Sequence, residues 1–424
     1  MIKQYFKQAW QMLKENKLLS IISILGTALA ICMIMIIMIL YEVNTANISP
    51  EIHRNRTYSL SIAEAIYKSN DQRYSYSSIG LPFIKECLYP LESAETVTAV
   101  MRNQQGKLLA TTMDGHTEST VEALYTDAAF WSVFAFDFIT GQPYDEAIID
   151  GGTYTVIINE TLARKLFGTT DVVGNEIKLD HIIYTIRGVV KDVSLYANKA
   201  YADVWIPYSA GGNTYAFADG IGGNFNCYIL ASKGIGKKIL EQEVANRVAS
   251  FNAQTPDFRA NIGSQPFTQT EVWLGGGGGA ITIQNLSSIF LRYGIIIVLL
   301  LLVPALNLSG ITFAQIRKRM SELGVRRSFG ATTGDILWQV LTENLLLTLI
   351  GGAVGLVLSY AGLVIFRDWL LITSLGQSGL TGGMFSPVVF LIAIFFCLVM
   401  NLLSATVPAW RVSHASIVKS IREE

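Results

Sequence analysis

The stretch QIRKRMSELGVRRSFGATTGDI, residues 315–336, decides the fold because it separates two strongly apolar runs of the chain. It is short and polar, and it carries five basic residues between positions 317 and 327. An apolar run of about 20 residues is long enough to cross a bilayer as a helix. The stretch therefore predicts a loop at a membrane surface that joins one spanning helix to the next.

The composition of the whole chain also indicates a membrane protein. Of its 424 residues, 51% are hydrophobic and only 15% are charged, whereas a typical soluble domain has roughly 25% charged residues. The first apolar run is longer than the apolar core of a cleaved signal peptide, which spans about 7–15 residues, and this favours a retained anchor. We predict four transmembrane helices, at residues 18–42, 286–316, 336–366 and 386–409.

The distribution of basic residues predicts the orientation. The N-terminal segment 1–17, the loop 317–335 and the tail 410–424 are rich in lysine and arginine, whereas residues 43–285 contain 18 basic and 25 acidic residues. Basic residues in short segments stay on the cytoplasmic side. The chain is therefore predicted to be a multi-pass protein of the cell (inner) membrane with cytoplasmic termini. Residues 43–285 and the short loop 367–385 would lie outside.

The large external segment reads as an α+β domain inserted between the first and second transmembrane helices. Its organisation is predicted as a βα base at about 43–107 and 222–274 with a β-rich insertion at about 108–221. Alternating apolar residues predict strands, and helical spacing predicts helices. The predicted strands lie in RTYSLSIA, ETVTAVMR, YTVIIN and DHIIYTIRGVV, and the predicted helices in LPFIKECLYPL, NETLARKLFG and GKKILEQEVANRVASFN.

The loop between the second and third spans contains more than positive charge. Three apolar residues recur at helical spacing and would form one narrow face, namely Ile316, Met320 and Leu323. Gly324 and Gly330 would end two short helices, and Thr332-x-x-Asp335 is the pattern of a capping box that begins the third span. Charge bias explains part of the basic content. A topological tether needs no apolar face, so we expect a docking element for a cytoplasmic partner.

Two other uses of a basic, glycine-containing loop are disfavoured. The basic residues lack the interleaved aromatic side chains of a nucleic-acid surface, so no nucleic-acid partner is predicted. The phosphate-loop pattern G-x-x-x-x-G-K-[ST] does not occur in the sequence, so no ATP site of that kind is predicted on this chain.

At this point the sequence resembles a known family. The run RKRMSELGVRRSFGATTGDILWQVLTENLLLTLIGGAVG, residues 317–355, is similar to the signature of MacB/FtsX-type ABC-transporter permeases. The ending PAWRVSHASIVKSIREE resembles the end of that family, and DAAFWSVFAFDFITGQPY and VIINETLARKLFG resemble its MacB-type extracytoplasmic domain. The resemblance covers nearly the whole chain.

The resemblance implies roles for particular residues. The loop would be the coupling element that contacts an ABC ATP-binding subunit, through Ile316, Arg317, Arg319, Met320, Glu322, Leu323, Gly324, Arg326, Arg327, Gly330 and Ala331. Glu343, Gly351 and Gly355 would serve packing or coupling within the membrane. Glu343 either reaches the cytoplasmic interface or pairs with Arg326 or Arg327. The small residues permit close helix approach, within the chain or across a dimer.

The resemblance also implies a function. Two permease chains, identical or paralogous, would pair above two ATP-binding subunits and transmit ATP-driven movement to the external domains, for export. Alternatives within the family are release of lipoproteins and an FtsX-like regulation of cell-envelope processes without transport. A membrane-fusion adaptor is a further expected partner beside the lipid bilayer. The chain itself is expected to be a non-catalytic permease with no cofactor, since ATP would bind the partner.

Other candidate chemistry is sparse. The four histidines occur singly, without the spacing of metal ligands, so no metal site is predicted. Cys87 and Cys227 both lie in the external segment, where an oxidising setting would permit a disulfide between them. The sequence leaves that pairing open.

Overall fold

A computed structural model describes residues 17–68, 74–103, 106–211, 220–275 and 332–365, together with a few single positions in the C-terminal part. The chain divides into two units, residues 1–43 with 291–424 and residues 44–290.

The first helix, α1, runs from Lys17 to Thr45 without interruption. It covers the first predicted span and continues to the start of the external domain. Its sequence contains no charged residue between Lys17 and Glu42, and this composition suits a helix surrounded by lipid.

The external unit contains fifteen described strands. They are β1 (Thr57–Leu60), β2 (Ala63–Tyr67), β3 (Tyr74–Ile79), β4 (Ala94–Arg102), β5 (Leu108–Thr112), β6 (Glu118–Val121), β7 (Ala123–Thr126), β8 (Phe138–Gly141), β9 (Thr155–Asn159), β10 (Glu176–Leu179), β11 (Ile182–Val190), β12 (Val204–Pro207), β13 (Gly222–Gly223), β14 (Asn226–Ala231) and β15 (Phe258–Asn261).

A short 3-10 helix (Arg54–Arg56) precedes β1, and six further helices accompany the strands in the described part of this unit. They are α2 (Leu81–Phe83, continued by a π-helical turn over Ile84–Leu88), α3 (Phe130–Val133), α4 (Glu146–Asp150), α5 (Glu160–Phe167), α6 (Lys237–Gln254) and α7 (Gln269–Gly275). The strands and helices predicted from alternation and helical spacing are all present. For example, β11 falls within DHIIYTIRGVV and α6 within the segment predicted as the last external helix.

One large sheet organises the external unit. Its strand order is β1-β14-β4-β7-β12-β9-β11-β10-β5-β6, with β8 beside β11, and a smaller sheet has the order β13-β3-β2-β15. Strand β4 of the predicted base pairs with β7 of the predicted insertion, so the large sheet is continuous across that boundary.

In the middle of the large sheet, both faces are buried, as in β7, β9 and β12. Successive residues of a strand point to opposite faces, and in β9 Val156 and Ile158 join one hydrophobic cluster while Ile157 joins the other. In β12, Trp205 joins the second cluster, which is rich in aromatic side chains. The middle of this sheet is therefore packed against apolar side chains on both faces.

The last described helix, α8, runs from Thr333 to Ile365. Its segment Leu345–Gly362 is long and apolar enough to cross a membrane, and among the described residues it is the single helix that meets this criterion. The corresponding apolar part of α1, Ser20–Met33, is shorter. The predicted spans 286–316 and 386–409 lie almost entirely outside the described residues, so the count of four remains a prediction.

Candidate coupling site

Most of the predicted coupling loop lies outside the described residues, and the role of its side chains stays a prediction. Gly330 is described, whereas the following residues are not: Ile316, Arg317, Arg319, Met320, Glu322, Leu323, Gly324, Arg326, Arg327 and Ala331. Gly330 has a φ of +97°, and a Cβ built on it would meet no atom within 4 Å. The backbone conformation, and not a lack of space, is what favours glycine here.

The start of α8 is held by the predicted capping box. The backbone N–H of Thr332 donates to Oδ2 of Asp335 at 2.9 Å, and the Thr332 hydroxyl donates to the same oxygen at 2.6 Å. The backbone N–H of Asp335 donates in return to the Thr332 hydroxyl at 3.3 Å. These bonds from Thr332 lower the pKa of Asp335. The helix that follows the coupling loop thus begins at a defined residue.

The glycines of α8 pack against α1. A Cβ on Gly351 would lie 2.8 Å from the Cβ of Thr27, and one on Gly355 would lie 2.8 Å from the carbonyl oxygen of Ala28 and 3.0 Å from the Cβ of Ile31. The contact on each helix advances by four residues in the same sense, so α1 and α8 run parallel. The sequence left open whether these small residues pack within the chain or across a dimer. In the structure, Gly351 and Gly355 pack against α1 of the same chain.

Of two polar residues in α8, Ser359 has a described hydrogen bond, whereas the side chain of Glu343 is not described. Ser359 is buried and donates its hydroxyl to the carbonyl oxygen of Leu356 at 2.8 Å, so its polar group is satisfied within the helix. Glu343 lies in α8, but its side chain is outside the described part of the structure. Its pairing with Arg326 or Arg327 stays a prediction.

The structure adds a cluster that the sequence reading did not identify, at the point where α1 gives way to the external unit. The guanidinium of Arg54 donates from Nε to the Glu51 carboxylate at 2.7 Å, and each side chain is 1% exposed. The same guanidinium donates to the carbonyl oxygens of Ala46, at 2.9 Å, and of Tyr196. One arginine thus joins the segment after α1 to a distant loop.

The Glu51 carboxylate makes the complementary connection. Its Oε1 accepts the backbone N–H of Lys199 at 2.7 Å and that of Ala200 at 3.2 Å. We call Glu51, Arg54 and the backbone of residues 196–200 the root clasp. The sequence carries one signal for this cluster, because Glu51 and Arg54, two opposite charges three residues apart, follow within fifteen positions of the first apolar run.

Lys199 brings a third charge to this region. Its Nζ is buried and has no hydrogen-bond partner among the described residues, and it lies 5.5 Å from the ring centroid of Tyr228. Burial lowers the pKa of Lys199 to about 8, the nearby Glu51 carboxylate opposes this shift, and Arg54 adds to it. Burial of this charged amine without a described hydrogen-bond partner therefore lowers the stability of the folded unit.

The last described helix of the external unit, α7, is bonded to the first residue of that unit. Gln269, the first residue of α7, donates its side-chain amide to the carbonyl oxygen of Asn44 at 2.9 Å. Thr268 and Glu271 form a second capping box at the start of α7, and Glu271 also pairs with Lys237 of α6 at 2.5 Å. The first residue of the unit, Asn44, and the start of its last described helix are thus bonded to each other.

The two external cysteines do not form the disulfide that the sequence left open. Cys87 and Cys227 are both free and buried. Burial raises the pKa of each thiol, and that of Cys87 reaches about 12. Both act as small core side chains that belong to the same hydrophobic cluster.

Two family models match the chain. The model of the MacB-like periplasmic core domain matches residues 20–247, more than half of the chain, and that of the FtsX-like permease C-terminal domain matches residues 294–417. Solved structures that are similar include the periplasmic region of MacB from Actinobacillus actinomycetemcomitans, with 14% identity, 48% of this chain and 88% of that chain covered, and a TM-score of 0.34.

Curated relatives carry names that combine ATP binding with a permease. The macrolide export ATP-binding/permease protein MacB 1 of Yersinia pseudotuberculosis is 24% identical over 84% of this chain and 52% of its own length. The MacB of Escherichia coli K12 is 22% identical over 98% of this chain and 60% of its own length. The chain thus spans between about half and three-fifths of these relatives. With its MacB-like core domain and FtsX-like permease domain, the chain belongs to the MacB/FtsX-type permeases of ABC transporters.

Proposed function

We propose that this chain transmits ATP-driven movement of a cytoplasmic ATP-binding subunit to its external domain, for export. The observation that carries the proposal is the parallel contact of α8 with α1 through Gly351 and Gly355. Helix α8 starts directly behind the coupling loop, and α1 ends directly before the external unit. A displacement of the loop would thus be passed from one helix to the other.

The form of α8 supports a mechanical role. It has 33 residues, so it is about 50 Å long, whereas the hydrocarbon core of a bilayer is about 30 Å thick. Its capping box, formed by Thr332 and Asp335, fixes where the helix begins. Side chains that close-pack at a glycine leave little room for sliding.

The parallel direction of α1 and α8 also supports the predicted topology. Two spans that cross in the same sense need the chain to cross back between them, and the predicted second span at 286–316 would do so. Labelling of introduced cysteines with a membrane-impermeant reagent in intact cells tests this topology. We expect labelling near Gly115 and no labelling near Ser328 or Ser416. External labelling at Ser328 would contradict the orientation.

The partners and the direction of transport are proposed from the family and from the names of relatives. The relatives are named macrolide export ATP-binding/permease proteins, which supports an ATP-binding partner and export. We propose a pair of permease chains with two ATP-binding subunits, and a membrane-fusion adaptor on the external side. Native mass spectrometry of the complex in detergent would test the two-to-two composition.

The coupling role is tested best at Gly330. Proline holds φ near −65°, whereas Gly330 has φ +97°, so Gly330→Pro displaces the end of the loop. Gly330→Asn is the matched control, because asparagine tolerates positive φ better than other non-glycine residues. We expect Gly330→Pro, at matched membrane levels, to abolish transport together with its stimulation of the ATPase, and Gly330→Asn to retain both. Wild-type transport in Gly330→Pro would refute the coupling role of this loop.

A further inference from the structure

We infer that the root clasp is the joint through which α1 moves the external domain. Glu51 and Arg54 are positioning residues in this view, and the inference rests on the proposed transmission of movement. The clasp follows the last residue of α1, Thr45, within nine positions. Any displacement of α1 along its axis reaches these residues before it reaches a strand of the external unit.

The bonds of the clasp connect two separate parts of the chain. On one side lies the segment after α1, which contributes the carbonyl of Ala46 and both charged side chains. On the other side lies the loop 196–200, which contributes the carbonyl of Tyr196 and two backbone N–H groups. Both side chains of the ion pair bond to both parts. Movement of the segment therefore pulls the loop with it.

The loop is in turn fastened to the middle of the large sheet. Arg102, at the end of β4, donates to the carbonyl oxygens of Asn198 and Tyr201. The indole N–H of Trp205, in the middle of β12, donates to the carbonyl oxygen of Ala200 at 3.0 Å. Both strands are interior in the strand order. The clasp thus acts on the centre of the sheet and not on an edge strand.

The chemistry of the clasp suits orientation more than stability. Removing two charges from water is costly, and apolar side chains of similar volume often stabilise a protein at least as well as a buried ion pair does. An ion pair adds directional bonds that are satisfied in one arrangement only. At this position the bonds fix how the segment after α1 is held on the sheet.

A second buried carboxylate provides a matched control. Asp127 accepts hydrogen bonds from the hydroxyls of Thr98 and Tyr89 and from the backbone N–H groups of Ala99 and Phe130. It is as buried as Glu51 and has a comparable number of donors. None of these partners belongs to the segment after α1. Asp127 therefore contributes to the fold without lying between α1 and the sheet.

The experiment measures transmitted movement in the full chain bound to its ATP-binding subunit in lipid nanodiscs. Spin labels are placed at the exposed positions Met113 and Trp338, after the four native cysteines have been replaced by alanine. The distance between the labels is measured by pulsed electron paramagnetic resonance without nucleotide and with ATP trapped. Hydrogen exchange of β4 in the same samples reports whether the external domain is folded.

We expect the wild-type distance to change with ATP. Glu51→Ala and Arg54→Ala should lose most of this change while ATP hydrolysis persists and β4 stays protected from exchange, although less than in the wild type. Asp127→Asn should keep the change even if it lowers stability. If the alanine variants do not fold, Glu51→Gln decides, because it keeps an oxygen for the N–H groups of Lys199 and Ala200 but loses the charge, and we expect a reduced change.

The possible failures are distinct. A wild-type distance that does not respond to ATP would overturn the proposed function and this inference with it. A wild-type change that persists in full in Glu51→Ala, Arg54→Ala and Glu51→Gln would overturn the inference alone, because the clasp would then be a stabilising feature only. Equal loss in Asp127→Asn would also overturn it, because the effect would then follow general loosening of the domain.

Discussion

The first helix and the segment that follows it make two different kinds of contact, one apolar and one charged. Along its length the helix packs against α8 through glycine, alanine, threonine and isoleucine, and no charged side chain is among the described contacts of Gly351 and Gly355. Beyond its end, the chain is held by a buried ion pair and by backbone hydrogen bonds. The first contact depends on side-chain volume, because the glycines of α8 let the backbone of that helix lie close to α1. The second depends on charge and on the direction of each bond.

The difference follows from the surroundings of each contact. Apolar residues gain nothing by leaving lipid for a helix interface, so helices in a bilayer associate where small residues let their backbones approach. At the root of the external unit the pair is shielded from water, and an unpaired charge there would be costly. The contact with α8 should therefore respond to side-chain volume, and the root clasp to the loss of a charge.

The largest effect is expected when the clasp loses its cation. Arg54→Ala leaves the Glu51 carboxylate buried without its partner, which costs about 3–5 kcal/mol for buried pairs. Arg56→Ala is the matched control two residues away, because the pair of Arg56 with Glu95 is partly exposed and exposed pairs contribute about 0–1 kcal/mol. Thermal unfolding of the external unit in the full chain measures both. Equal losses in the two variants would contradict the distinction.

A smaller effect is expected when a methyl group is added between α1 and α8. In Gly355→Ala the new Cβ meets backbone and Cβ atoms of α1 at 3.0 Å or less, and overpacking of this kind costs about 1–3 kcal/mol. Gly362→Ala is the matched control in the same helix, because its Cβ would meet nothing within 4 Å. We expect a lower thermal midpoint in detergent for Gly355→Ala only.

If Gly355→Ala and Gly362→Ala behave alike, the contact with α1 does not limit stability. Of the two contacts, only the root clasp would then contribute measurably to stability. If both variants are more stable than the wild type, the better helix propensity of alanine outweighs the contact.

A change of opposite sign is expected at Lys199. Lys199→Met replaces a buried cation that has no hydrogen-bond partner among the described residues, and it should stabilise the external unit on the order of 1 kcal/mol, because leaving a buried polar group unsatisfied is costly. The pKa of Lys199 is lowered to about 8 by folding. The folded chain therefore binds this proton more weakly than the unfolded chain, and wild-type stability rises as pH increases through 8.

The advantage of Lys199→Met should accordingly be full below pH 8 and should fade above it. Unfolding of wild type and variant in denaturant at a series of pH values measures the difference. A variant that is less stable than the wild type at neutral pH would show that Lys199 contributes to the clasp through its contact with Tyr228.

The sequence predicted those features that depend on near neighbours. Alternation over a few residues placed β9 and β11, and the spacing of Thr332 and Asp335 placed the start of α8. The small-residue stripe of α8 predicted a close approach, but it carried no information on which helix would fill it. Its partner α1 lies more than 300 positions earlier in the chain.

The root clasp escaped prediction for a related reason. Glu51 and Lys199 are separated by 148 positions, and four of the five bonds of the clasp use backbone groups, which look alike in every sequence. The predicted side chains of the coupling loop, such as Glu322 and Arg326, lie outside the described residues, and their role rests on the family resemblance.

The smallest effect is expected at the capping box of α8. Thr332→Ala removes the hydroxyl that both donates to Asp335 and accepts its backbone N–H, whereas Thr332→Ser keeps that hydroxyl and is the matched control. Hydrogen exchange of the first turn of α8 should be faster in Thr332→Ala and unchanged in Thr332→Ser, while the midpoint of global unfolding stays close to that of the wild type.

The first turn of α8 should also exchange faster in acid. Folding lowers the pKa of Asp335 below its ordinary value of 3.8, so its stabilising contribution is complete above that value and is lost as pH falls through the lowered pKa. Asp335→Asn should abolish this pH response, because the amide does not titrate. A first turn that exchanges equally in wild type and Thr332→Ala would show that the contact with α1, and not the capping box, holds the start of α8.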